Sequence, residues 1–294
     1  MKKIIALFIF ALIAISAVAQ PDNLSGYELI KPEKEAVATL VLFGGFPESP
    51  VDIEREFNIR DIASEHGVNL VLMEVNQRVL VEDSEVEFLA QTIDAAMMNH
   101  QLGKEKVAIG GYSSGGNIAM LVSNAMMISD SITIKPKGVF VIDSPLDLAL
   151  LYEASVRVSN QTIDEEYAQN YGYQVQMLEH LLGNPSEDIS DYEHYSPFTY
   201  QTKNTNNVEG LKAVSIRLYT EPALEWSKQH GLQPEDVNAY GLQRFKELMK
   251  AQFSTSSIEL IPTENKGYDS RGKRNPHHWS IVDKQDLIKW IVSL

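Results

Sequence analysis

Lys106-Val107-Ala108-Ile109-Gly110-Gly111-Tyr112-Ser113-Ser114-Gly115-Gly116-Asn117 is the stretch from which the rest of the chain can be read. Val107 to Gly110 is a short strand-like run, Asn117 to Ile128 has the composition of a helix, and Gly111-Tyr112-Ser113-Ser114-Gly115 between them matches the G-x-S-x-G nucleophile elbow. Such an elbow needs glycine on both sides of its serine, because the strand-to-helix turn is sharp and strained and pushes the hydroxyl into the open. With Gly and Ser each near ~7 % of residues, the bare pattern arises by chance in roughly one chain in ten of this length. Its position between a strand and a helix is what gives it weight. A phosphate cradle is the rival reading, but no G-x-x-x-x-G-K-[ST] follows.

Outward from the elbow, strand-like and helix-like runs alternate. Ala36 to Phe43 is almost continuously apolar, as a strand covered on both faces should be, and Gly44-Gly45 ends it. Val51 to Glu65 carries Ile53, Phe57, Ile59, Ile62 and Ala63 near helical spacing and stops before Gly67. Val68 to Val75 reads as a strand, Val86 to Leu102 as a helix and Gly138 to Ile142 as a strand. The alternation resumes late, with strands at Ala213 to Thr220 and Ser257 to Ile261 and helices at Pro234 to Ala251 and Lys284 to Ser293. Alternation of this kind predicts βαβ units and an α/β fold with a mostly parallel central sheet flanked by helices. It fails from Leu146 to about Asp191, where helical stretches such as Glu165 to Leu182 follow one another without strands. That segment is expected to be a helical lid inserted over the sheet. Seven of the twelve tyrosines fall between Leu151 and Tyr200, consistent with a lined pocket and equally with plain packing.

Residues 1–19 stand apart. Lys2 and Lys3 precede an apolar run from Ile4 to Ile15 and then Ala17-Val18-Ala19, the layout of a secretory signal peptide with its cleavage site. The run is shorter than the ~20 residues a membrane-spanning helix needs. Residues 20–294 are then expected to form one exported domain, periplasmic or extracellular, with no disulfide because the chain has no cysteine. A formal charge of −15 argues against binding nucleic acid or an anionic membrane surface.

Candidate bases lie at Asn275-Pro276-His277-His278-Trp279-Ser280, just before the final helix. His277 is preferred because Pro276 stiffens its approach, and His278 is the alternative. The other five histidines fall in helical or insertion contexts and read as surface residues. A metal bound by the histidine pair is the competing chemistry, but H-E-x-x-H and cysteine ligands are both missing. No metal or organic cofactor is expected.

The glycine turn at Gly44-Gly45, the elbow, Ser196-Pro197-Phe198 and the late histidine, in that order, resemble the α/β-hydrolase superfamily, within it the esterase and prolyl-oligopeptidase-like branches. The resemblance runs from about Ala36 to the end. It implies a serine hydrolase with Ser113 as nucleophile and His277 as base, acting on a small-molecule ester or a short peptide. The turn after the first strand would supply one oxyanion donor, so the backbone N–H groups of Phe46 and Ser114 would converge on the carbonyl oxygen. The acid fits less well. The resemblance implies an aspartate after the Ala213 to Thr220 strand, nearest Ala223, and the turn there is Glu221-Pro222-Ala223-Leu224-Glu225. Glu221 is the first expectation for the carboxylate, Glu225 the second, and Asp143 or Asp147 after the preceding strand the third. Three functions remain open on these residues: an esterase for small or sugar-linked acyl groups, a prolyl-type peptidase, and a binding protein that keeps the fold without catalysis.

Overall fold

The computed structural model describes residues 26–75, 78–254 and 257–294. The expected signal peptide lies outside them. The described residues contain a seven-stranded sheet in the order β1-β3-β2-β4-β5-β6-β7. Its strands are β1 (Gly26–Ile30), β2 (Ala38–Phe43), β3 (Val68–Glu74), β4 (Val107–Tyr112), β5 (Gly138–Ile142), β6 (Ser215–Thr220) and β7 (Ser257–Pro262). All neighbours pair in parallel except β1, which lies antiparallel on β3 at one edge. Among the described residues the α-helices are α1 (Pro50–Phe57), α2 (Arg60–Glu65), α3 (Asp83–Asn99), α4 (Ser114–Ile128), α5 (Leu148–Ser159), α6 (Glu165–Leu182), α7 (Ser190–Tyr195), α8 (Leu224–Gln229), α9 (Asn238–Gln252) and α10 (Lys284–Ser293).

The two faces of the sheet follow from the period of two along each strand. On β2, Leu40 and Leu42 face the core shared with Ile53 and Phe57 of α1, Ala63 of α2 and Leu287 and Ile291 of α10. Val41 and Phe43 face the opposite core, with Leu89 and Ile93 of α3 and Ile118 and Val122 of α4. Every residue of β2 is buried, which is why that run carries no polar alternation.

Three elements differ from expectation. The helix expected over Val51 to Glu65 is two, because Asn58 takes a left-handed conformation (φ 45°) and ends α1, a conformation that asparagine tolerates better than most residues. The helix expected from Pro234 begins at Asn238, after a 3-10 turn at Pro234–Asp236. Strand β1 was not foreseen: it is five half-buried residues whose chief support is the β3 backbone.

Between β5 and β6, the segment expected to be an insertion forms α5, α6 and α7, with an apolar cluster of its own that includes Leu148, Tyr152, Leu178, Leu182 and Tyr192. Asp147 caps α5 by accepting from the N–H groups of Ala149 and Leu150, and Asp164 caps α6 through Tyr167, each cap contributing about 1 kcal/mol. Because β2, β4, β5 and β6 run parallel in close register, Gly44, Ser113, Asp143 and Glu221 all leave the sheet at the same edge, where open α/β sheets bind their ligands.

Candidate active site

Ser113 lies between β4 and α4 with φ 53° and ψ −128°, a conformation that side chains rarely adopt. The glycines around it are steric necessities. A Cβ on Gly111 would sit 2.2 Å from the Gly115 carbonyl oxygen, and one on Gly115 would sit 2.2 Å from that of Gly44. The Ser113 N–H donates to the Ile142 carbonyl at 3.0 Å, tying the elbow to the end of β5.

His277 Nε2 lies 3.1 Å from Ser113 Oγ, and His277 Nδ1 lies 2.7 Å from Asp143 Oδ2. An ionised carboxylate only accepts, so Nδ1 carries the proton and Nε2 is free to accept from the serine hydroxyl. Asp143 follows β5 directly, at φ 46° and 7 % exposure. The Thr220 hydroxyl donates to its Oδ1 at 2.6 Å, and Asn238 Nδ2 donates to its carbonyl oxygen at 2.7 Å. The Tyr112 hydroxyl holds the His277 carbonyl at 2.8 Å, and the two rings lie 4.8 Å apart. These contacts fix the imidazole and its carboxylate from four sides.

The first expectation for the carboxylate is corrected by this geometry. Glu221, 3 % exposed, accepts from the Lys266 and Gly267 N–H groups at 2.9 and 2.7 Å and pairs with Arg274. Its lone pairs are directed into the loop before His277, and it makes no hydrogen bond to the imidazole. Glu225 is exposed in the first turn of α8. Ala223 opens that helix in a left-handed conformation. The carboxylate on His277 is Asp143, the third expectation, while Asp147 is used as the α5 cap and as acceptor for Tyr200 N–H. His278 points elsewhere: Nε2 lies 3.2 Å from Glu56, Nδ1 accepts from Ser280 N–H at 3.1 Å, and burial holds its pKa below the ordinary histidine value.

The turn after β2 lies against Ser113, since a Cβ on Gly45 would approach the Ser113 Cβ to 3.0 Å. Phe46 and Ser114 do meet, but side chain to backbone: the Phe46 N–H donates to Ser114 Oγ at 2.9 Å. An oxyanion reaching that donor has to displace or share it with the Ser114 hydroxyl. Glu48, which sequence reasoning passed over, braces the turn. Its carboxylate accepts from Gly45 N–H at 2.9 Å and from Trp279 Nε1 at 3.0 Å, joining the turn to the histidine loop. Burial pushes the Glu48 pKa up to about 6.

In front of Ser113, Asp143 and His277 opens a cavity of about 360 Å³, whose far wall includes Tyr167 and Tyr171 of α6 and Trp226 of α8. The chain has the α/β-hydrolase fold. It is similar over 91 % of its length to an S-formylglutathione hydrolase from Agrobacterium tumefaciens, at 14 % identity, a TM-score of 0.56 and 88 % coverage of that chain. An inhibited esterase B from Lactobacillus rhamnosis matches 91 % of this chain and 81 % of its own, with 14 % identity and a TM-score of 0.57. The Pyrococcus horikoshii acylaminoacyl peptidase matches with 14 % identity and a TM-score of 0.53, over 91 % of this chain but 38 % of its own. No protein-family model and no curated protein matches the sequence. At these identities the likeness is one of fold.

Proposed function

We propose that the protein is an exported serine hydrolase that cleaves carboxylic esters through an acyl-enzyme. The observation that carries this reading is the hydrogen-bonded chain from Asp143 through His277 to Ser113 at the head of α4. In the reaction, His277 Nε2 takes the Ser113 proton as Oγ attacks the carbonyl carbon, and Asp143 orients the imidazole and stabilises its charged form. The Ser114 N–H, with the Phe46 N–H once it turns from Ser114 Oγ, would hold the oxyanion. The carbonyl carbon–alcohol bond then breaks, the alcohol leaves with the proton from His277, and water splits the acyl-enzyme into acid and free serine. The names of the structurally similar esterase and S-formylglutathione hydrolase support this chemistry.

A peptidase is the second reading, favoured by the likeness to the acylaminoacyl peptidase. A peptidase that anchors a free amino terminus needs an unspent carboxylate, and the two offered by the cavity besides Asp143 already hold arginines, Glu221 with Arg274 and Asp236 with Arg157; an N-acylated peptide carries no such amine and is distinguished by the substrate comparison below. Ester cleavage is therefore preferred. A fold without catalysis would have no need of the strained Ser113 and its partnered imidazole.

Fluorophosphonate should label the protein on Ser113, and Ser113→Ala should abolish labelling and lower turnover of p-nitrophenyl acetate by about 10⁶-fold. Labelling that persists on Ser114 would overturn the assignment, and faster cleavage of aminoacyl-naphthylamides than of p-nitrophenyl esters would favour the peptidase. Export is checked separately: protein recovered from outside the cytoplasm should begin at Gln20, whereas an intact leader on the mature protein would refute it.

A further inference from the structure

One wall of the cavity before Ser113 is built in a way that acyl transfer does not require. Helix α6 supplies Tyr167, Asn170, Tyr171 and Gln174 to it, at spacings i, i+3, i+4 and i+7, which is one face of a helix. The same stripe continues into Leu178 and Leu182, both buried in the apolar cluster of α5, α6 and α7. The stripe is thus polar where it borders the cavity and apolar where it packs against protein. Packing alone would call for the second kind throughout.

These polar groups have hydrogen-bonding capacity to spare. The Tyr171 hydroxyl makes no hydrogen bond to any described residue, and burial, with the nearby Tyr167, Asp236 and Asp143, raises its pKa far above that of an ordinary phenol. It is a neutral donor at any working pH. Ser155 Oγ lies 2.9 Å from Gln174 Oε1 and 2.6 Å from the Leu151 carbonyl oxygen, and its single proton serves one of them, so at least one end of the Gln174 amide is without a partner among the described residues. Asn170 stands at the mouth, exposed. Donors and acceptors left open toward a cavity are met by water until a ligand takes its place.

The charges narrow the ligand. Among the described residues no lysine or arginine lines the cavity, so an anionic substituent would enter it without a lysine or arginine counter-ion. Its carboxylates are already engaged, Glu221 by Arg274, Asp236 by Arg157 and Asp143 by His277, so a cation finds no free partner. Tyr167, Tyr171 and Trp226 add ring surface, the first two stacked at 6.2 Å and Tyr167 edge-on to Trp226 at 5.8 Å. A group that is neutral, carries several hydroxyls and has apolar ring faces satisfies all three conditions.

The geometry points to a sugar-like hydroxylated ring as the alcohol part of the substrate, held by Tyr171, Gln174 and Asn170 while Ser113 removes its acyl group. This rests on the ester-hydrolase reading. The sugar oxygen leaves with the proton His277 took from Ser113, and water completes release of the carboxylic acid, so no other reactant is needed.

The test compares methyl 6-O-acetyl-glucopyranoside with cyclohexylmethyl acetate, a matched ester whose ring lacks hydroxyls, with p-nitrophenyl acetate reporting on the site. A site built to hydrogen-bond hydroxyls should favour the sugar ester in kcat/KM by on the order of 10-fold or more. Tyr171→Phe, which removes a single oxygen, should cut that preference by about 10-fold, and Gln174→Leu should cut it also, with circular dichroism confirming that both fold. A wild-type ratio near one, or a ratio unmoved by both variants, overturns the inference. If p-nitrophenyl acetate is cleaved and Ser113 labels while the sugar ester is not preferred, this inference alone falls. If neither occurs, the hydrolase reading falls with it.

Discussion

Strands β5 and β6 are neighbours, and each is followed by a buried carboxylate, Asp143 at 7 % and Glu221 at 3 % exposure. Their surroundings divide them. Glu221 meets a guanidinium and two backbone N–H groups from residues 266–274, so its charge is neutralised within its own corner of the fold. Asp143 meets one hydroxyl on Oδ1, and on Oδ2 the His277 imidazole at 2.7 Å with Asn238 Nδ2 more distant at 3.4 Å. Strand β6 still serves the site, but through Thr220, the residue before Glu221, whose hydroxyl reaches across to Asp143. Burial is common to both carboxylates; what separates them is whether the partner is an arginine of the neighbouring loop or an imidazole that also reaches Ser113.

A pair of matched variants puts that contrast at risk. Asp143→Asn should lower kcat on p-nitrophenyl acetate by on the order of 10⁴-fold while the protein folds normally, because the amide favours the wrong imidazole tautomer. Glu221→Gln should leave kcat within about 10-fold but reduce unfolding free energy by about 3 kcal/mol, since it strands Arg274 in a partly buried site. Removing both partners in Glu221→Gln with Arg274→Gln should recover part of that loss, as deleting a whole pair costs less than deleting half of it. Denaturant titration and initial rates on the same preparations separate the two effects. Should Glu221→Gln prove the rate-limiting lesion and Asp143→Asn the stability lesion, the roles must be exchanged.

The same contrast explains what could be read without coordinates. The elbow was legible because its constraint is local: Gly111 and Gly115 are glycines to prevent collisions within a few residues or with the adjacent turn. Order in the chain and Pro276 singled out His277, and its imidazole lies 3.1 Å from Ser113 Oγ. The carboxylate was not legible, since Arg274 meets Glu221 from 53 residues away and His277 meets Asp143 from 134, and no periodic pattern encodes those returns. One weak signal did exist. Asp143 follows its strand directly, and aspartate is among the few residues that accept the positive φ a turn there requires. Asn58 carried the same signal for the break between α1 and α2 and was likewise passed over. The β-alternation revealed the buried parallel strands, whereas β1 lies half-buried at the sheet edge, where packing leaves little pattern.

Glu48 is a third carboxylate near the same edge, intermediate between the other two and the source of the smallest expected effect. Like Glu221 it spends its oxygens on a backbone N–H and a side-chain donor, Gly45 and Trp279; like Asp143 it sits where protonation would be felt, between the Phe46 turn and the histidine loop. Burial raises its pKa from 4.5 to about 6, with Asp52 and Glu56 of α1 adding to the rise and the bonds from Trp279 and Gly45 opposing it. Between those values the folded protein holds a proton that the unfolded chain has released, so this group makes the fold less stable as pH rises through the window. For activity the sign is opposite: protonation leaves one neutral acceptor oxygen where a carboxylate held Gly45 and Trp279, loosening the turn as pH falls. On the proposed mechanism the base also works unprotonated, so the two effects act in the same direction. As pH falls through about 6, kcat/KM should therefore lose up to about 10-fold more in the wild type than in Glu48→Gln, which cannot titrate. The variant keeps an acceptor oxygen, so its plateau should fall by no more than about 10-fold. Acid limbs of the same shape in both proteins would mean that Glu48 only packs the turn, and would leave Asp143 as the one carboxylate of the three on which the proposed reaction depends.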